Sequence, residues 1–179
     1  MEEILIVLLI LFLAFGLTGD DIPLDISPEE EPEIERENIT GQETVDVREE
    51  GHIYREFQGH ITGTSSVEVE SSSGDIYVRF ADTIAGTARV DIRAAEGDVY
   101  VSFEDEITGN ASVNITSSQG DVTFVGERSK IEEFINRNNL EVNAGGSINY
   151  RTGSIMDLLY NPSLFTDNLT NINSKLVYN

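Results

Sequence analysis

The chain repeats itself without a gap. Residues 61–83 and 84–106 align position for position over 23 residues, ten of them identical, including Gly63/Gly86, Val67/Val90, Gly74/Gly97, Asp75/Asp98 and Phe80/Phe103. A third block, 107–129, keeps Gly109, Val113, Ile115, Gly120, Asp121, Val122 and Phe124 in the same columns. Residues 39–60 fit upstream after the loss of one turn residue, and 140–153 fit the second half of the unit downstream. A repeat of this length marks an array in which each unit buries its apolar face only against its neighbours.

Within each unit the apolar residues alternate: Val67 and Val69, then Ile76, Val78 and Phe80, with polar residues between. Period 2 predicts two short strands per unit, each with one buried face. Ser71-Ser72-Ser73-Gly74 separates the two strands, and Gly74 is expected to take the positive φ of a sharp bend. A second corner is expected at Gly63, Gly86 and Gly109. Two architectures fit: a solenoid whose like residues stack about 4.8 Å apart, or an antiparallel meander. Equal spacing across successive blocks favours the solenoid, because a meander tolerates drift. The fold class predicted is therefore all-β, a solenoid of about five coils at 39–60, 61–83, 84–106, 107–129 and 140–153.

Between the fourth and fifth coils, Ile131, Phe134 and Ile135 lie at helical spacing and Ser129 and Glu132 at capping-box spacing. A short helix at 130–138, leaving the solenoid, is the expectation. Residues 154–179 are read as a C-terminal cap over the open end, with a helical turn from Ser154 to Tyr160, since exposed strand edges template aggregation.

At the other end, Ile4–Leu17 is an almost unbroken apolar run of 14 residues. Crossing a bilayer takes about 20 apolar residues, so residues 1–18 read as a cleaved signal peptide, or else as a retained membrane or filament anchor. Glu2 and Glu3 stand where a signal peptide normally carries positive charge, so membrane orientation stays open. Residues 19–38 hold three prolines among many acidic side chains and are read as an extended linker; Ile22, Leu24 and Ile26 alternate and offer an edge strand as the alternative.

The net charge of −22 argues against nucleic acid and anionic membrane surfaces as partners, and leaves cations, proteins and sugars. Such acidity, with two lysines against nine arginines, also suits high salt. The chain has no cysteine, so disulfides and thiol chemistry are excluded.

The recurring unit Ser73-Gly74-Asp75-Ile76-Tyr77-Val78, with Gly97-Asp98-Val99-Tyr100-Val101 and Gly120-Asp121-Val122-Thr123-Phe124, resembles the adhesin-type family of bacterial and archaeal β-solenoid repeat domains over residues 39–153. That resemblance implies an exported or membrane-attached, right-handed solenoid without catalysis. Bactofilins, polymerising β-solenoids with hydrophobic N-terminal tails, offer a looser architectural likeness.

Candidate chemistry sits on the columns. Asp75, Asp98 and Asp121 would stack close enough to repel, and a cation such as calcium between coils would relieve this; alternatively each aspartate caps its own turn. Stacked carboxylates also mimic a retaining glycosidase pair, but no long loop builds a cleft around them. Tyr77, Tyr100 and Arg79, with Arg55, Arg89 and Arg93, are expected on the outer faces as a surface for a glycan or protein. His52 and His60 are the only histidines and read as surface residues. Asn38, Asn110, Asn114 and Asn168 each head an Asn-x-Ser/Thr glycosylation acceptor. No nucleophile elbow, phosphate loop or dinucleotide fingerprint occurs. The expectation is a non-catalytic cell-surface module binding sugars, proteins or cations; the alternative is a filament subunit that self-associates through its N-terminus or its ends.

Overall fold

The computed structural model describes residues 33–35, 38–155 and 170–171. The apolar run 1–18, the alternating Ile22, Leu24 and Ile26, and the expected helical turn beyond Ile155 lie outside the described residues.

Every unit of the repeat forms two strands, as its alternation requires. In chain order the elements are β1 (Glu33–Glu35), β2 (Thr44–Glu49), β3 (Ile53–Phe57), β4 (Ser66–Ser71), β5 (Ile76–Phe80) and β6 (Arg89–Ala94). Then follow β7 (Val99–Phe103), β8 (Ser112–Ser117), β9 (Val122–Val125), helix α1 (Arg128–Asn136), β10 (Leu140–Ala144), β11 (Ile148–Arg151) and β12 (Thr170–Asn171). First strands of successive coils stack as a five-stranded sheet, β10-β8-β6-β4-β2, and second strands stack in a seven-stranded sheet, β1-β3-β5-β7-β9-β11-β12. All pairings between coils are parallel and in register, so the fold is a parallel β-solenoid and the meander is ruled out.

The register places like over like. Val67 lies over Val90, Val90 over Val113, and Val113 over Leu140; Val69, Ile92 and Ile115 form the next file. From the facing sheet come Ile53, Ile76, Val99 and Val122, and beside them Phe57, Phe80 and Phe103. A third side carries single parallel bridges joining Ile39, Ile61, Ile84 and Ile107. These files are buried and make one continuous core, each aliphatic side chain contributing about 1.5–3 kcal/mol.

The two glycine corners work differently from expectation. Positive φ occurs at Gly63 (78°), Gly86 (76°) and Gly109 (68°), where the L-residue penalty favours glycine, but not at Gly74, Gly97 or Gly120. Those three are demanded by closeness instead: a Cβ on Gly97 would stand 2.3 Å from the carbonyl oxygen of Gly74 in the coil below. Buried serines lock the same corner. Ser71 Oγ donates to Gly51 O at 2.7 Å and accepts from Gly74 N–H at 2.9 Å, and Ser117 repeats both bonds with Gly97 and Gly120.

Helix α1 begins at Arg128, two residues ahead of the expected start, with Glu127 as N-cap and no side-chain cap. The capping box is not made because Ser129 lies inside the first turn, and Glu132 accepts from Arg128 Nε at 2.7 Å instead. Nor does the helix leave the solenoid. The phenylalanine file stops at Phe103 because the fourth coil carries Gly126 at that repeat position, and Phe134 of α1 fills the gap edge-on, 6.1 Å from the Phe103 ring at 85°. Both ends of the seven-stranded sheet extend past the coils: β1 pairs in parallel with β3, and β12 pairs antiparallel with β11.

Candidate functional site on the coil walls

Because the interior is filled, functional groups fall on the corners and outer faces. Asp75, Asp98 and Asp121 do stack in one column beside the close glycine corner, and their carboxylates answer backbone amides. Asp75 Oδ1 accepts the N–H of Asp98, Asp98 Oδ1 that of Asp121, and Asp121 Oδ1 that of Ser147, at 2.8, 2.8 and 2.6 Å. Each aspartate thus caps the coil after its own, not its own turn. The second oxygens take Tyr77 (3.5 Å), Tyr100 (3.1 Å) and Asn149 (3.3 Å). His52 starts the ladder, its Nδ1 accepting from Asp75 N–H at 3.0 Å. His60 makes a separate contact with Asp82 at 2.9 Å. Among the described residues no group of three or more metal-ligating side chains converges.

Along the outer face of the seven-stranded sheet, Tyr54, Tyr77 and Tyr100 stack with ring centroids 4.9 and 4.7 Å apart and nearly parallel planes. Tyr54, which the sequence reading did not group with Tyr77 and Tyr100, heads this file; its place after Ile53 in the aligned repeat was the available signal. The rings spend their faces on one another and the Tyr77 and Tyr100 hydroxyls are held by Asp75 and Asp98, so the file offers ring edges outward. Burial, and then the neighbouring Asp75 carboxylate, push the Tyr77 hydroxyl well above its ordinary value of 10.0; burial and Asp98 do the same for Tyr100. Tyr150 is raised by burial and by Glu132. As pH climbs past about 10 the unfolded chain releases these protons while the folded chain keeps them. Stability that is full below that pH should therefore decline above it. Tyrosinate absorbance should show part of the six tyrosines ionising only as the fold is lost; a single titration of all six in folded protein would refute this.

Arg79 lies on the same face but is not a free cation. It bonds Glu56 below and Glu104 above, the latter at 2.7 Å through Nε. Ile155 and Val125 form a small buried cluster against which Tyr77 and Tyr100 pack. Arg55, expected outside, registers instead with inward Val78 and Val101, and its guanidinium pairs with Glu49 at 3.5 Å. Alternation from Ile53 sets this parity, and β1 lies over the same position, with Glu33 in register with Arg55.

The five-stranded sheet presents an ion-pair lattice. Arg48 bridges Asp46, Glu68 and Glu70, while Arg93 reaches Glu68 and Asp91. Buried Asp91 also accepts from Arg89 and from Asn114 Nδ2, and despite its burial these donors hold its carboxyl below the usual carboxylate range. Among the glycosylation candidates, Asn38 and Asn110 are exposed, Asn114 is engaged on this sheet, and Asn168 lies outside the described residues.

A corner of Gly-Asp over Gly-Asp, with two strands per coil, is the geometry to set beside known families. Residues 30–152 match the Toastrack DUF4097 family. The chain belongs to it. The Toastrack match takes in β1 and runs through the coils to Thr152. No curated protein and no solved structure matches the chain.

Proposed function

We propose that this Toastrack domain is a non-catalytic, exported cell-surface module that binds glycans, proteins or cations through its two outer walls. One observation carries the reading: apart from Arg55 in the first coil the core files are apolar, and the corner aspartates and serines spend polar atoms on backbone groups of adjacent coils, so recognition falls to the walls. Those walls repeat from coil to coil and carry tyrosine edges and arginine–carboxylate pairs, which suits a polar partner surface better than a small substrate. Residues 1–18 would supply export or tethering and the acidic segment would set the domain off the membrane. Fractionating source cells tests this: the protein should be found at the surface, and deleting residues 1–18 should leave it inside. Full-length protein confined to the cytoplasm would overturn the reading.

A filament subunit is the second reading, favoured by β2 and β10, which end the five-stranded sheet without a further strand among the described residues. β1 and β12 stand in the way of simple coil-on-coil growth, because each adds a strand to only one of the two sheets. Electron microscopy of the purified full chain separates the two: polymers support the filament, and monodisperse particles the surface module.

A further inference from the structure

We propose that Asn110 accepts an N-linked glycan from a lipid-linked oligosaccharide donor; the inference rests on the exported reading above. The repeat itself singles out this residue. At the positive-φ corner, the residue after the glycine is Thr64 in the second coil and Thr87 in the third. Each threonine hydroxyl folds back onto the glycine carbonyl one coil below, Thr64 onto Gly41 O at 2.7 Å and Thr87 onto Gly63 O at 2.9 Å. In the fourth coil the position is Asn110. Its backbone N–H keeps the ladder bond to Gly86 O at 2.8 Å, yet its carboxamide has no hydrogen-bond partner among the described residues and the residue is exposed.

The turn that carries it is held from behind. Buried Asn139 donates its Nδ2 to Ala111 O at 2.7 Å and to Gly109 O at 3.3 Å, the carbonyls on either side of Asn110. Ser112, two residues on, supplies the hydroxyl that completes the acceptor sequence, and it is only half-buried at the start of β8. A sugar chain at this corner would leave both sheets and all core files untouched.

The other acceptors are less suited. Asn114 Nδ2 is a donor to buried Asp91, so a glycan there would sit on the nitrogen that faces this carboxylate and crowd the bond. Asn38 uses its Oδ1 to hold the N–H of His60 at the first corner. In the transfer, Asn110 Nδ2 attacks the anomeric carbon of the donor sugar and the new C–N bond forms. The bond from that carbon to the lipid phosphate oxygen breaks, the lipid phosphate leaves with the electron pair, and a base of the oligosaccharide transferase takes the amide proton.

Mass spectrometry of protein purified from the surface fraction of source cells is the test. We expect the Asn110 peptide to carry a sugar mass and Asn114 to be bare. Asn110→Thr, which restores the hydroxyl of the preceding coils, should remove the mass while leaving the thermal melt unchanged; Ser112→Ala should remove it with Asn110 still in place. Surface-fraction protein with unmodified Asn110, or a sugar mass that survives Ser112→Ala, would overturn the assignment. Protein found only in the cytoplasm would instead sink the exported reading, and this inference with it.

Discussion

Gly97→Ala should destabilise the domain by about 3 kcal/mol or more, read as a large fall in the urea midpoint at unchanged slope. The added methyl would lie 2.3 Å from Gly74 O and 2.8 Å from Asp75 N, both backbone atoms of the neighbouring coil. Neither atom can step aside cheaply. Val99 and Asp98 are tied to that coil by the strand ladder and by the bond from Asp98 N–H to Asp75 Oδ1, so relief would require opening the stack. An internal control exists in the same column. A methyl on Gly51 of the first coil would meet nothing within 4 Å, and Gly51 has no positive φ, so Gly51→Ala should stay within about 0.5 kcal/mol of the parent. Equal losses from the two substitutions would mean that coil-to-coil closeness is not what selects glycine at this corner.

Phe80→Ala should cost about 3–5 kcal/mol in the same assay. The Phe80 ring is buried between Phe57 at 5.2 Å and Phe103 at 5.3 Å, both nearly parallel to it, so its removal leaves a void with rigid coils on either side. Phe80→Leu, which keeps most of the volume, should lose markedly less. The effect should also propagate: Phe103 is the ring on which Phe134 of α1 rests, so exchange protection of the α1 amides should drop in Phe80→Ala. Unaltered protection in α1 would show that the helix is anchored by Ile131 and its own turn alone.

Much of this architecture was legible in the amino-acid order. Ungapped repetition identified the coils, strict alternation identified which residues of Val67–Phe80 face inward, and identical columns implied the files that the register confirms. The helix between the fourth and fifth coils was readable from Ile131 and Phe134, with its start misplaced by two residues because Ser129 and Glu132 imitate a cap that the backbone does not use. Of the surface residues, the aspartate column and Tyr77 and Tyr100 were placed correctly. Their chemistry was not, since a tyrosine's free face or a carboxylate's free oxygen depends on the residue one coil away.

What the sequence determined by itself was therefore everything periodic along the chain: strand spacing, face parity, corner positions and the number of coils. Tertiary structure alone decided what happens between coils. Stacking brings backbone within reach of backbone, so Gly74 and Gly97 are glycines for lack of space and not for their φ, Asp75 serves Asp98 instead of its own turn, and β1 and β12 extend one sheet beyond the other. These contacts join residues about twenty positions apart or more, and their geometry is set by the strand separation across the stack, a length that no local pattern encodes.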